Sequence, residues 1–211
     1  MWDQRYGTDE FFYGTDPNDF LRENARLIRP GVVARPGGRK PEAQTADVLC
    51  LAEGEGRNAV YLAGLGFRVT AVDGSPVGLA KMQRLAQSRG VQVAGIHSDL
   101  AGFAIAPLAW DAIVSIWCHI PAPLRARLYR ETVAGLRPGG TLILEAYHPR
   151  QLEFRTGGPP TADLMVTLDA LRPELAGLDL VVAQEIERVV QEGKGHHGRS
   201  AVVQVVGRKP G

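Results

Sequence analysis

The sequence predicts an α/β fold: a mostly parallel sheet with helices on both faces, closed at one end by an antiparallel hairpin. Three observations predict it. From Asp47 to Tyr147, short strand-like runs alternate with helix-like segments. Those runs are apolar at nearly every position, as strands covered on both faces must be. Near the C-terminus, two long β-prone segments are joined by the glycine-rich link EGKGHHG at 192–198, which is a hairpin signal.

The elements follow in chain order. Residues 1–29 are polar and aromatic, with Trp2, Tyr6, Phe11, Phe12, Tyr13 and Phe20 crowded together. Asn18 is a candidate N-cap for a short helix over 19–28. This segment stands outside the strand–helix alternation, so it either packs on the sheet edge or covers a bound ligand. Tyr13 is then the residue best placed to touch that ligand. Residues 30–46 are rich in proline and glycine and read as a loop. Strands are expected at 47–52, 67–72, 91–96, 111–117 and 140–147, with helices at 57–65, 76–88 and 121–136. A helix over 161–176 and strands at 178–190 and 199–208 complete the chain. Its 211 residues suit one domain, with 1–46 as N-terminal lid and linker and 47–211 as the core.

Composition narrows the function. The 24 basic and 23 acidic residues leave a net charge of +1, with no basic run. This argues against nucleic-acid and membrane partners. The start, MWDQRYGTDE, carries no apolar signal core, and no apolar stretch is long enough to span a bilayer. Cys50 and Cys118 lie inside apolar runs and read as reduced thiols, which places the protein in the cytoplasm. No histidine or cysteine pair shows the spacing of a zinc site, so no metal is expected. Oligomeric state is left open.

Two motifs carry chemistry. In Val48-Leu49-Cys50-Leu51-Ala52-Glu53-Gly54-Glu55-Gly56-Arg57-Asn58, a buried strand runs into glycines and then a helix start. Gly54 and Gly56 are expected to let the backbone pass close to a ligand. Asp73 ends the next strand, about 20 residues on, the position from which a carboxylate reads both hydroxyls of a ribose. A strand-end carboxylate is expected near solvent when no ligand is bound. Gly74 follows it, and Ser75-Pro76 reads as N-cap and first residue of the next helix. Ala59 replaces the third glycine that a pyrophosphate site needs, and the acidic pair Glu53 and Glu55 favours a cationic ligand over a phosphorylated one.

These runs, with Leu136-Arg137-Pro138-Gly139-Gly140 and Trp110-Asp111-Ala112-Ile113-Val114-Ser115, resemble class I S-adenosylmethionine (SAM)-dependent methyltransferases. More narrowly, they resemble the tellurite-resistance and thiopurine-like branch. The resemblance covers about 47–147 well, and Trp2-Asp3-Gln4-Arg5-Tyr6 and Tyr13-Gly14 more loosely. It implies a Rossmann-like seven-stranded sheet of order 3-2-1-4-5-7-6 with strand seven antiparallel. It implies SAM as cofactor and a small-molecule acceptor, a thiol or chalcogenite among the candidates. Cofactor contacts are expected from Tyr13, Ala52, Glu53, Gly54, Gly56, Asn58, Asp73, Gly74, Ser75, Asp99, Leu100 and Trp117, with Asp99 at the adenine amino group. Many relatives have an acid at position 50 and a glycine at position 52, where this chain has Cys50 and Ala52.

In this topology all five histidines fall at the carboxyl ends of the strands. His119 and His148 are the expected catalytic residues, since imidazole exchanges protons near neutral pH. Two rival readings remain. One is a methyltransferase-like module that binds SAM without catalysis. The other is a nicotinamide-dependent oxidoreductase, disfavoured by Ala59 and by the hairpin.

Overall fold

The computed structural model describes residues 2–30 and 45–211. Most of the expected loop at 30–46 therefore lies outside the described residues. The elements are α1 (Trp2–Tyr6), α2 (Asp19–Asn24), β1 (Asp47–Leu51), α3 (Arg57–Gly64), β2 (Arg68–Asp73), α4 (Pro76–Ser88), β3 (Val93–His97), β4 (Trp110–Ile116), α5 (Ala122–Gly135), β5 (Leu136–Tyr147), α6 (Gln151–Phe154), α7 (Leu168–Glu174), β6 (Asp179–Glu192) and β7 (His196–Arg208). The seven strands form one sheet in the order β3-β2-β1-β4-β5-β7-β6. Pairings from β3 through β5 are parallel, and β7 is antiparallel to both neighbours. This is the expected class I methyltransferase topology.

Alternation along the strands builds the two faces. Val48, Cys50, Ala71, Ala112 and Val114 point to one side and pack with Phe20 and Leu21 of α2, Leu62 of α3 and Met82 of α4. Leu49, Leu51, Val72, Ile113, Leu142 and Leu144 point to the other and meet Leu128 and Tyr129 of α5 and Leu171 of α7. Burial on both faces explains the unbroken apolar runs. The edge strand β3 departs from that pattern: only Val93 is buried, and Ala94 to His97 are exposed.

Helix starts are chemically specified. Asn18 caps α2 by accepting from the Leu21 amide, and Ser75 caps α4 by accepting from Gly78, with Pro76 following. The helix expected over 19–28 tightens into a 3₁₀ turn at Ala25–Leu27. The one expected over 161–176 splits into a 3₁₀ turn at Ala162–Leu164 and α7, whose own cap is Thr167. Among the described residues, no helix is long and apolar enough to cross a membrane.

Candidate active site

A cleft of about 350 Å³ opens at the carboxyl ends of the strands. It lies where β1 and β4 diverge, which is the switch point at which open α/β sheets bind ligands. Two residues at these strand ends, Ala52 after β1 and Trp117 after β4, adopt left-handed backbone conformations with φ of 51° and 55°. Such conformations are costly without glycine and concentrate at functional sites. Both residues line the cleft.

The β1–β3 side of the cleft is acidic. Glu53, Asp73 and Asp99 line it, with Gly74, Leu100 and Asn58 between them. Asp73 is buried, not near solvent as its sequence position suggests. Its Oδ2 accepts from the Gly54 amide at 2.7 Å and its Oδ1 from the Ser75 amide at 2.8 Å. Each oxygen keeps a second lone pair for an outside donor. Burial raises the Asp73 pKa, with the two amides opposing the shift. Glu53 accepts from the Ala59 amide at 2.8 Å, and burial pushes its pKa up to about 7 against that hydrogen bond. The N-terminal turn of α3 is therefore already capped by a carboxylate. A pyrophosphate, which needs those free amides, has no place there.

The glycines of the first motif make room for neighbouring side chains. A side chain at Gly56 would strike Met82 of α4, and one at Gly54 would strike the Tyr6 hydroxyl. Neither glycine lines the cleft, and nor does Ser75, whose hydroxyl donates to Asp3 at 2.5 Å. These three residues shape the loop and its packing on α4 and the N-terminal segment. Glu55 is likewise occupied: it forms a buried 2.5 Å ion pair with Lys81 of α4 and accepts from the Tyr13 amide.

Lys81 had no signal in the sequence beyond being a lysine on a helix. Almost fully buried, it also donates to the carbonyls of Tyr6, Thr8 and Glu10. It thereby straps the N-terminal segment over the cleft, where Trp2, Tyr6 and Tyr13 form part of the wall. The tip of the β6–β7 hairpin holds the same segment from the other side. Lys194 donates its amide to Phe12 and pairs with Glu10 through its side chain.

Beneath this cover lies a buried polar network whose pairings the motifs do not reveal. Asn18 donates to Glu145 and Glu192. Arg57 pairs with Glu192 at 2.5 Å, and Arg188 forks onto Glu145. The Trp117 indole donates to Glu192 at 2.6 Å. Charges at this depth persist only when paired and hydrogen-bonded.

The β4–β5 side of the cleft is aromatic. Trp117 stacks on Tyr147 at 4.3 Å and on His196 at 5.1 Å, and His119 lies parallel to Tyr147 at 5.5 Å. His119 lines the cleft, and neither of its ring nitrogens makes a close hydrogen bond among the described residues. Burial pushes its pKa down to about 4, the Leu164 backbone opposing. His148 does not join it. It sits in a separate surface depression, 3.6 Å from Glu185, because the chain leaving β5 turns away from the cleft. His97 is exposed and contacts the Gly74 carbonyl, and His197 is exposed. The histidine missed by the motifs is His196, whose place depends on the hairpin folding back over Trp117. Among the described residues, no group of three or more metal-ligating side chains converges.

Comparison with known proteins agrees with this architecture. A family model described as a methyltransferase domain matches residues 48–140. No curated protein matches the sequence significantly. Among solved structures, the chain is similar to TehB from Haemophilus influenzae, with a TM-score of 0.70 and 16% identity over 99% of this chain and 65% of that one. It is similar to the N-methyltransferase NodS from Bradyrhizobium japonicum WM9 in complex with S-adenosyl-L-homocysteine (SAH), with a TM-score of 0.68 and 16% identity over 100% of this chain and 97% of that one. A SAM-dependent methyltransferase from Methanosarcina mazei gives a TM-score of 0.63 and 16% identity over 79% and 93%. At these identities the structural likeness establishes the fold. The methyltransferase-domain match and the shared fold point to the same strand-end cleft as the place where a ligand binds.

Proposed function

We propose that the protein methylates a small-molecule acceptor, with the cofactor on the acidic side of the cleft and the acceptor on the aromatic side. The observation that carries this reading is the division of one cleft into two chemistries. Asp73 offers lone pairs to ribose hydroxyls, and Asp99 offers a carboxylate to the adenine amino group. Glu53 provides a negative charge for a cationic ligand, and Ala52, Asn58, Gly74, Leu100, Tyr13 and Trp117 complete the walls. The bound cofactor supplies an electrophilic methyl group on a sulfonium, open to in-line attack.

The chain's own residues align the acceptor and exclude water. Tyr13, Trp117 and the N-terminal segment close over the transfer site. Neutral His119 accepts the proton that a thiol, amine or hydroxyl acceptor gives up. Being a weak base, it suits an acceptor that needs little activation, such as a thiol or chalcogenite. The likeness to TehB supports the tellurite-resistance branch that the motifs resemble. The cleft volume sits at the low end for ligand cavities, about 300–1,000 Å³, which favours a small acceptor over a macromolecule. Two buried free thiols, Cys50 and Cys118, fit a reducing compartment such as the cytoplasm.

The test combines thermal shift with turnover. SAM and SAH should raise Tm while NAD and NADP leave it unchanged. SAH release should then appear with at least one member of an acceptor panel of thiols, chalcogenites, amines and phenols. A shift with NAD and none with SAM would overturn the cofactor reading. Tight SAM binding without turnover across the panel would make the protein a non-catalytic SAM-binding module.

A further inference from the structure

Trp117 lines the cleft just past the end of β4, in a backbone conformation it does not favour. Its φ of 55° lies in the left-handed region, which a bulky residue occupies only when its surroundings hold it there. Stacking on Tyr147 at 4.3 Å and on His196 at 5.1 Å fixes the plane of the indole. Stacking alone does not fix which way round the ring lies, because a half-turn about the Cβ–Cγ bond keeps a flat ring in the same plane. The choice falls to its single polar atom, the Nε1–H, which can only donate.

That proton goes to Glu192 Oε2 at 2.6 Å. Glu192 is almost fully buried at the end of β6 and does not itself line the cleft. Its other side-chain partners among the described residues are all donors: Arg57 to Oε2 at 2.5 Å, Asn18 to Oε1 at 2.7 Å and Arg188 to Oε1 at 3.5 Å. The Asn18 amide cannot turn round, since its Oδ1 caps α2 by accepting from Leu21. The carboxylate is therefore an acceptor only, paired to Arg57. A charge-assisted bond from a buried indole N–H to such a group is a strong one. In the strand ladder Glu192 stands opposite His196. One end of the hairpin thus supplies both a ring that stacks on the indole and the carboxylate that orients it. The donors that hold this carboxylate come from the cover, through Asn18, and from the start of α3, through Arg57.

We propose that Glu192 is a positioning residue of the transfer site: it selects one of the two half-turn orientations of the Trp117 indole, and so decides which edge of the ring faces the ligands. This rests on methyl transfer taking place in this cleft. With its N–H engaged by Glu192, the indole meets the ligands with carbon alone, an apolar wall that keeps water from the transferring methyl. Turned the other way, the ring would take its N–H off Glu192 and leave that carboxylate one donor short.

Indole ¹H–¹⁵N spectra of the labelled full-length protein, which has three tryptophans, read this bond directly. Trp2 is exposed, and Trp110 Nε1 makes no close hydrogen bond among the described residues. The Trp117 signal, assigned by its loss in Trp117→Phe, should therefore lie downfield of the other two and exchange slowly with solvent. In Glu192→Gln the acceptor loses its charge whichever way the new amide turns, so the signal should move upfield. A Trp117 signal at the position of an exposed indole, or one that Glu192→Gln leaves in place, overturns the bond. If Glu192→Gln does not fold, the wild-type position and exchange rate decide. SAH should shift the Trp117 signal of the wild type, and a signal that saturating SAH leaves unmoved takes Trp117, and Glu192 with it, out of the site. With an acceptor that turns over, Glu192→Gln should hold SAH affinity within about threefold and lower kcat about tenfold or more. Trp117→Phe, which leaves Glu192 paired to Arg57, should show the same split. Wild-type kcat in both variants, or a loss confined to SAH affinity, overturns the positioning role. Failure of the wild type to bind SAH at all would instead strike the proposed function, while the spectra without ligand still decide the Glu192–Trp117 bond.

Discussion

Asp73→Ala tests the cofactor half of the cleft, and its consequences follow from four hydrogen bonds. Two are present without ligand: the amides of Gly54 and Ser75 donate to the two carboxylate oxygens. Two more are expected from the ribose. Hydrogen bonds to a charged group are worth about 1.5–3 kcal/mol each. Water entering the vacated space returns much of that, so the net loss on binding is about 1.5–3 kcal/mol, tenfold to a few hundredfold in SAM affinity. The empty protein also suffers, because two buried amides lose their acceptor while a desolvated carboxylate is removed. The balance is about 1–2 kcal/mol, a fall of about 2–8 °C in Tm for a chain of this size. Ser75→Ala is the control. It removes the α4 cap at a cost of about 0.5–2 kcal/mol while keeping the ribose acceptors, so Tm should fall with SAM affinity nearly intact. Calorimetric titration with thermal melts separates the two effects. SAM affinity within twofold of wild type in a folded Asp73→Ala protein would refute the placement of the ribose.

Three further predictions concern charge and cover. The Glu53 pKa of about 7 lies above its ordinary value of 4.5. This group therefore favours the empty fold below pH 4.5, and that contribution is lost as pH rises through 7. A cationic cofactor prefers the ionised form, so SAM affinity should fall by up to about tenfold per pH unit below 7. Calorimetry in buffers of different ionisation enthalpy should show proton release on binding, and a flat profile would exclude Glu53 from the site. Lys81→Ala leaves buried Glu55 unpaired and should cost about 3–5 kcal/mol. The double variant Lys81→Met/Glu55→Gln should restore most of that loss in chemical denaturation, and no recovery would show that the pair is not the cause. Deleting residues 1–16 keeps Asn18 and its bonds to Glu145 and Glu192. It should leave a folded protein with weaker SAM binding and no turnover, whereas deletion through residue 20 should also reduce stability. Wild-type SAM affinity after the shorter deletion would show that the segment does not cover the cofactor.

The sheet was legible because its signals are local. Alternating strands and helices, a capping Ser75-Pro76, and a glycine-rich hairpin link each declare themselves within a few residues. Asp73 and Asp99 were legible for a related reason: their positions at strand ends fix them on one edge of the sheet once the topology is known. The glycines were legible only in part. Positive φ at Gly54 and Gly56 is visible as a turn preference, but whether the missing side chain makes room for a ligand or for Met82 depends on how α4 packs. His148 misled in the same way, since being next to a strand end does not say which way the chain leaves it.

The contacts that hold the cover in place were illegible for a physical reason. Asn18 meets Glu145 and Glu192 across 127 and 174 positions, and Arg57 meets Glu192 across 135. Lys81 reaches carbonyls more than 70 positions away. A lysine, arginine or glutamate read alone is taken for a solvated side chain, because that is where such residues usually lie. Burial of these charges becomes tolerable only when their partners arrive together from the N-terminal segment, α3, α4, β5 and the hairpin. The same assembly closes the cleft. Glu55 accepts from Tyr13 while paired to Lys81, and Glu192 holds Trp117 while paired to Arg57. The turn between β1 and α3 thus supplies one charge to each pair, Glu55 to Lys81 and Arg57 to Glu192. A ligand that displaces the cover must expose or repair those pairs, which makes closure a property of the whole sheet edge and not of the N-terminal segment alone.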